Sequence, residues 1–154
     1  MKGWLLDTNV IAEVSGAKPD RKVAQWIESV PEHTLYLSIL TLGEYQKGIH
    51  HLPAGDKRRP RLVRSVAALE ARFAGRVLSV SDATVLRWGA ISGEAKRLTA
   101  HSPSVIDTLL AATAIEHGLY LATRNVAHVT QSGAVVFNPW KDNPEQFSVS
   151  WNRR

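Results

Sequence analysis

Asp7 closes an apolar run, Gly3 to Leu6, and is followed at once by Thr8 and Asn9. Two further acids stand in comparable settings: Glu44 in Ser38-Ile39-Leu40-Thr41-Leu42-Gly43-Glu44, and Asp107 in Pro103-Ser104-Val105-Ile106-Asp107-Thr108-Leu109. Taken singly, each has an ordinary structural account. Asp, Thr and Asn bond local backbone amides and end strands readily. Thr41-x-x-Glu44 and Ser104-x-x-Asp107 both match the capping box, in which an acid three residues on reaches back to the N-cap amide. Taken together they point to chemistry. Carboxylates gathered at one site repel, and the repulsion is relieved by protonation or by a cation. Hard divalent ions such as Mg²⁺ and Mn²⁺ take oxygen ligands, and a metal so held activates water and steadies the leaving oxygen of a phosphodiester.

The acids meet only if the elements that carry them end on one rim. Short apolar runs alternate with longer helical patterns along the chain, the signature of a parallel α/β sheet. Strands are expected at Trp4 to Leu6, Leu35 to Ser38, Arg76 to Val80, Tyr120 to Ala122 and Ala134 to Phe137, each nearly continuous in hydrophobicity, as strands covered on both faces are. Helices are expected near Val10 to Val14, Lys22 to Val30, Leu42 to His51, Arg61 to Phe73, Ala83 to Leu98 and Val105 to His117, the last with Gly118 as its C-cap. Asp7 then closes the first strand and Glu44 opens the helix after the second, both at carboxyl ends, where open α/β sheets bind ligands. Asp107 begins the helix leading into the fourth strand, and topology alone leaves its place at the rim open. That strand ends in Leu121-Ala122-Thr123-Arg124-Asn125, again small polar groups at a carboxyl end. Asn138-Pro139-Trp140 stops the fifth strand, and the tail from Lys141 to Arg154 shows no pattern.

Composition narrows the class. With 154 residues, 44% of them hydrophobic, the chain is expected to fold as one domain over 1–154. No run approaches the ~20 apolar residues needed to cross a bilayer, and the start lacks a basic leader with a long apolar stretch, so a soluble, cytoplasmic protein is expected. Cysteine is absent, which excludes disulfides and thiolate metal sites. The six histidines, His50-His51 and His128 among them, have no zinc spacing and read as surface or helix-end residues. No nucleophile-elbow pattern supports a serine hydrolase. An Asp7 that accepts a phosphoryl group would be expected within Asp-x-Asp, whereas Asn9 stands two positions on. A net charge of +5 and a pI near 9.8 favour polyanions, since phosphate contacts release counterions. The densest basic stretch, Lys57-Arg58-Arg59-Pro60-Arg61, reads as an exposed loop entering a helix. Gly48 is expected to allow close helix packing, Trp88-Gly89 to lie in core and dimer surface, and Arg124 to meet phosphate or solvent.

With these segments in view, the chain resembles PIN-domain ribonuclease toxins of the VapC and FitB type. The resemblance rests on LLDTNVI at Leu5 to Ile11, LTLGEYQKGI at Leu40 to Ile49, IDTLLAATAIEHGL at Ile106 to Leu119, LATRN at Leu121 to Asn125 and FNPW at Phe137 to Trp140. Their order and spacing carry more than any one of them. The resemblance implies a three-layer α/β/α fold with a central parallel sheet of about five strands. It also implies a Mg²⁺ site, with Mn²⁺ as the alternative ion, and endoribonuclease activity on RNA. Homodimerisation, neutralisation by a VapB-like antitoxin and contact with operator DNA only through that antitoxin are implied as well. Carried over by position, Asp7, Glu44 and Asp107 form the acidic, metal-holding core, and Glu44 is either a ligand or a water-orienting base. Asn125 occupies the place where the family often has a fourth acid, and counts with the catalytic positions. Thr123 matches a hydroxyl that holds a carboxylate or water, and Asn9 fits the first motif as a supporting residue or a plain turn residue. The departure at Asn125 motivates the alternative of a degenerate PIN domain that binds RNA or a partner without cutting.

Overall fold

The computed structural model describes residues 1–150. Its centre is β1 (Trp4–Leu6), three residues with almost no solvent contact. β2 (Leu35–Ser38) pairs along one side of β1 and β4 (Tyr120–Ala122) along the other, while β3 (Val77–Leu78) and β5 (Val136–Phe137) form the edges. The order is β3-β2-β1-β4-β5 and every pairing is parallel. Trp4 lies opposite Leu35 and Tyr120, and Leu6 opposite Leu37 and Ala122. Because side chains alternate between faces, these six residues share one face and Leu5 and Leu121 the other. The first face packs on α1 (Thr8–Val14), α2 (Arg21–Ser29), α3 (Ile39–His51) and α4 (Arg58–Arg72) through Val10, Trp26, Ile49 and Leu69. The second packs on α6 (Val105–His117) and α7 (Val126–Val129) through Leu110, Ala111, Ala114 and Val129, and α5 (Asp82–Thr99) lies along α6. The result is the expected three-layer α/β/α arrangement about a five-stranded parallel sheet.

This order creates the crevice. The chain steps outward from β1 to β2 to β3, then crosses back to β4 and β5, so its direction reverses between β1 and β4. Parallel crossovers are right-handed, which sends the helices before and after the reversal to opposite faces. The carboxyl ends of β1 and β4 are therefore left open between layers, the usual ligand site of such sheets. Asp7 and Thr123 are the residues just beyond those two ends.

Several boundaries differ from expectation for identifiable reasons. The third strand is Val77–Leu78 rather than Arg76 to Val80, because Arg76 turns its guanidinium to Glu32 and to the carbonyl of Leu35 and stacks over the Phe73 ring. The fifth is Val136–Phe137, since Gly133 holds a left-handed turn (φ 77°) just before it. The basic stretch is not a loop: Arg58-Arg59-Pro60-Arg61 make up the first turn of α4, where proline lacks only an amide that would have had no partner. The tail is ordered by packing. Phe147 stacks edge-on against Tyr120 at 5.2 Å, the Tyr120 hydroxyl donates to the Ser148 carbonyl, and the Ser150 amide donates to the Met1 carbonyl. Residues 151–154 lie outside the described residues. Gly3 has a strict role: a Cβ there would stand 2.2 Å from the Thr34 carbonyl oxygen. Gly48, by contrast, is not a tight packing point, as a Cβ would meet only Leu62 Cδ1 at 4.0 Å. Trp88 is half-buried and Gly89 exposed.

Candidate active site at the carboxyl rim

Asp7 is the N-cap of α1 and is 5% exposed, so the capping account of this residue holds. It does not account for the whole side chain. Oδ1 accepts the Thr8 amide at 2.6 Å, while Oδ2 accepts both the Thr123 hydroxyl and the Asn9 side-chain amide, each at 2.6 Å. Thr123 comes from the far side of the reversal, so this bond bridges the crevice. Asn9 completes the brace: its Nδ2 also reaches Thr123 Oγ1 at 3.1 Å, and its Oδ1 accepts the Arg124 amide at 3.2 Å. It lies within α1 and joins two strand ends, which excludes the plain turn role.

Glu44 is not a capping acid. α3 starts at Ile39 with Ser38 as its cap, three residues earlier than the Thr41 box requires, and the Thr41 hydroxyl is buried without a partner among the described residues. Glu44 instead faces α1, where its Oε2 accepts the Thr8 hydroxyl. Asp107 keeps half of its capping box. Ser104 Oγ accepts the Asp107 amide at 3.4 Å, but the Asp107 carboxylate turns to His128, whose Nδ1 stands 2.7 Å from Oδ2. His128 was legible only as a surface residue, and its side chain is 57% exposed. It lies on α7, directly after the rim, and no local pattern marks it as the partner of Asp107.

Electrostatics ties the three acids together. Burial raises the Asp7 carboxyl above its ordinary value, the Thr123 and Thr8 hydrogen bonds oppose that shift, and the charges of Asp107 and Glu44 add to it. Asp107, whose place at the rim topology left open, thus lies within the field of Asp7. Convergence stops short of a closed shell: among the described residues, no three His, Asp or Glu side chains are gathered closely enough to hold a metal ion as placed. Asn125 is further removed. Its amide donates to Thr123 Oγ1 at 3.0 Å, it caps α7 without a side-chain bond, and it lines a separate cleft with His128 and Lys141. Arg124 beside it stacks over the Trp140 ring at 5.0 Å. Among the described residues, no helix is long and apolar enough to cross a membrane.

Comparison with known proteins gives the family and agrees with the fold. The family model of the PIN domain matches residues 4–128, which takes in Asp7, Glu44, Asp107 and Thr123. The chain is 36% identical to VapC ribonuclease Y4jK of Sinorhizobium fredii, over 89% of its own length and 97% of that protein. It is 35% identical to Toxin FitB of Neisseria gonorrhoeae, over 90% and 99%. Among solved structures, FitAB bound to a DNA fragment superimposes with a TM-score of 0.80 at 31% identity, covering 91% of this chain and 97% of that one. The chain belongs to the PIN-domain family, in its VapC and FitB toxin branch.

Proposed function

We propose that this protein is a metal-dependent endoribonuclease and the toxin of a toxin–antitoxin pair, with the rim around Asp7 as its active site. The observation that carries the proposal is the burial of the Asp7 carboxylate, braced from both sides of the crevice and within the fields of two more carboxylates. Such an arrangement costs stability at neutral pH unless a cation compensates it. The donors are hard oxygens, the set that Mg²⁺ or Mn²⁺ prefers. Asp7, Asp107 and Glu44 are the residues to hold the ion, and when bound it supplies a polarised water and charge stabilisation for the leaving oxygen.

The protein's own groups prepare that chemistry. Thr123 and Asn9 fix Asp7 Oδ2, so Oδ1 keeps its second lone pair for a ligand. Thr8 holds Glu44 Oε2 and leaves Oε1 to orient a water and take its proton. His128 does the same for Asp107, securing Oδ2 and leaving Oδ1 for a ligand. A VapB-like antitoxin neutralises the protein, as expected from relatives that include a named toxin. A homodimer is consistent with exposed apolar residues on α5, of which Leu86 is 77% exposed.

Purified protein freed of any partner is expected to cleave RNA with Mg²⁺ or Mn²⁺ and to stop on chelation. Asp107→Asn and Glu44→Gln, which keep size and remove charge, are expected to lose most of that activity. Undiminished cleavage by both variants refutes the site. RNA binding with no cleavage under either ion establishes the non-cutting alternative.

A further inference from the structure

The register of the sheet carries the carboxyl rim one strand further than the acids. Leu6 lies opposite Ala122 and Ala122 opposite Phe137, so the residues that follow them, Asp7, Thr123 and Asn138, stand in one row across β1, β4 and β5. Two strand spacings put Asn138 about 10 Å from Asp7. Beyond that row lies a cleft of about 710 Å³, with Arg124, His128, Asn138 and Lys141 in its lining. It abuts the acids, because His128 Nδ1 stands 2.7 Å from Asp107 Oδ2 and the Arg124 amide donates to Asn9, which braces Asp7. We propose that this cleft binds a backbone phosphate of the RNA, flanking the one that is cut, through the Asn138 side-chain amide, Arg124 and Lys141. The proposal rests on the ribonuclease reading above and adds the residues that position the strand.

Three observations point to an anion. First, Asn138 is only 4% exposed, yet half of its side-chain amide is unused. The Trp140 amide donates to Oδ1 at 3.1 Å, which fixes that end as the oxygen, and Nδ2 donates to nothing among the described residues. Second, the Arg124 guanidinium rests over the Trp140 ring at 5.0 Å and takes part in no ion pair among the described residues. Stacking holds its plane and leaves the N–H edge for a phosphate. Third, Lys141 has no ion pair among the described residues either, although Asp142 follows it and also lines the cleft. Asp142 is already engaged: its Oδ2 accepts the Asn138 backbone amide at 2.7 Å. Two cations and a fixed amide donor, drawn from the ends of neighbouring strands, therefore face one occupied acid. Such a donor set suits phosphate oxygens, and its closeness to the acids favours a strand that runs on to the cut over an acidic peptide.

Asn138 makes the cleft testable. Asn138→Asp keeps an oxygen for the Trp140 amide and turns the free donor into a charged acceptor. Binding of a fluorescent unpaired oligoribonucleotide to the full chain is followed by anisotropy in chelator, so that the strand stays whole. Asn138→Asp is expected to weaken binding about ten-fold, the scale of one charge-assisted bond. Lys141→Gln and Arg124→Gln, both on exposed side chains, are each expected to weaken binding and to lower the salt slope by about one. Neutralising the strand one phosphate at a time, with methylphosphonate linkages, locates the contact. One linkage should weaken binding by the parent and have no further effect on Lys141→Gln or Arg124→Gln, as expected of a directly coupled pair. Melting temperatures at the parent's value show that the variants are folded.

Parent-like binding by folded Lys141→Gln and Arg124→Gln, or losses that simply add at every linkage, refute the phosphate subsite and leave the ribonuclease reading intact. Coupling at one linkage in a parent that cuts no RNA with Mg²⁺ or Mn²⁺ upholds the subsite and refutes the ribonuclease. If the three variants bind and cut RNA as the parent does but lose a copurifying protein, the cleft is a protein dock and the proposal is wrong.

Discussion

Trp4 and Tyr120 open the same two strands that Asp7 and Thr123 follow, so the two ends of β1 and β4 lie three residues apart and are built from opposite materials. At the amino ends, rings meet rings. Trp4 lies 4.8 Å from Tyr120 and 6.1 Å from Phe147, and Phe147 seals the cluster from the tail. Dispersion and loss of apolar surface stabilise that end, with no charge to desolvate. At the carboxyl ends, a buried carboxylate is braced by a hydroxyl and an amide, and two other acids push its proton affinity further up. One end of the sheet holds the fold together and the other spends part of that stability on keeping charges close. Substitutions at the two ends should therefore separate stability from activity.

Asp7→Asn gives the largest separation. Cleavage is expected to fall on the order of 10³-fold, as for loss of a charge that stabilises the reacting centre, while the fold persists. Its stability should also show the sign of the Asp7 shift. A carboxyl raised in the folded state favours folding when protonated and loses that contribution as pH rises through its folded value. The parent's melting temperature is thus expected to gain on that of Asp7→Asn as pH falls from 7 toward 4. Mg²⁺ or Mn²⁺ at pH 7 should raise the melting temperature of the parent and not of the variant. Parallel curves for the two proteins, with and without ion, would remove the charge cost from the rim.

Thr123→Val tests the brace without touching an acid. Losing the hydroxyl frees Asp7 Oδ2 from one of its two donors, and cleavage or metal affinity is expected to fall about 10- to 100-fold. At the other end, Phe147→Ala is expected to cost about 2 kcal/mol, less than a fully buried ring because Phe147 is only partly buried. Calorimetry should record a drop of about 6 °C with cleavage per folded molecule unchanged. A loss of activity beyond the loss of folded protein would show that the two ends are coupled. The smallest effect is expected from Asn125→Asp, which places an acid at a position tied to the cluster only through its backbone amide. At that remove an added charge should lower the metal concentration for half-maximal cleavage about two-fold, measured at fixed ionic strength. Overlaid titrations would place residue 125 beyond the electrostatic reach of the site.

The strands and helices that pack on both sides were readable because burial leaves a pattern: Trp4 to Leu6, Leu35 to Ser38 and Tyr120 to Ala122 are found residue for residue. The edges were misjudged where a side chain had other work, as Arg76 does with Glu32 and Phe73. Thr123 bonds Asp7, Glu44 bonds Thr8 beside it, and Asp107 lies within the field of Asp7, but the capping patterns around two of these acids mislead in different ways. The start of α3 was misplaced because Ser38, at the end of a strand, also caps the helix. The partner of Asp107 was invisible because contact with His128 depends on how α7 folds back over the start of α6, a tertiary fact with no local signature. The tail was unreadable for the same reason: Phe147 is one ring in a polar stretch, and only the cluster it completes explains it.

The bond between Asp7 and Thr123 spans 116 residues of chain. β1 precedes the other four strands of the sheet in the chain, yet it gains its second neighbour only when Tyr120–Ala122 has been synthesised. Contacts of such long range form late and slowly, because loop closure comes before any gain from pairing. At a translation rate of about 5–20 residues per second, the acids of α1 and α3 wait several seconds for the strand and helix that bring Thr123 and Asp107. Until then one edge of β1 is bare and the rim does not exist. The order of the strands therefore acts as a clock, and a growing chain stays without this rim until Thr123 has been added.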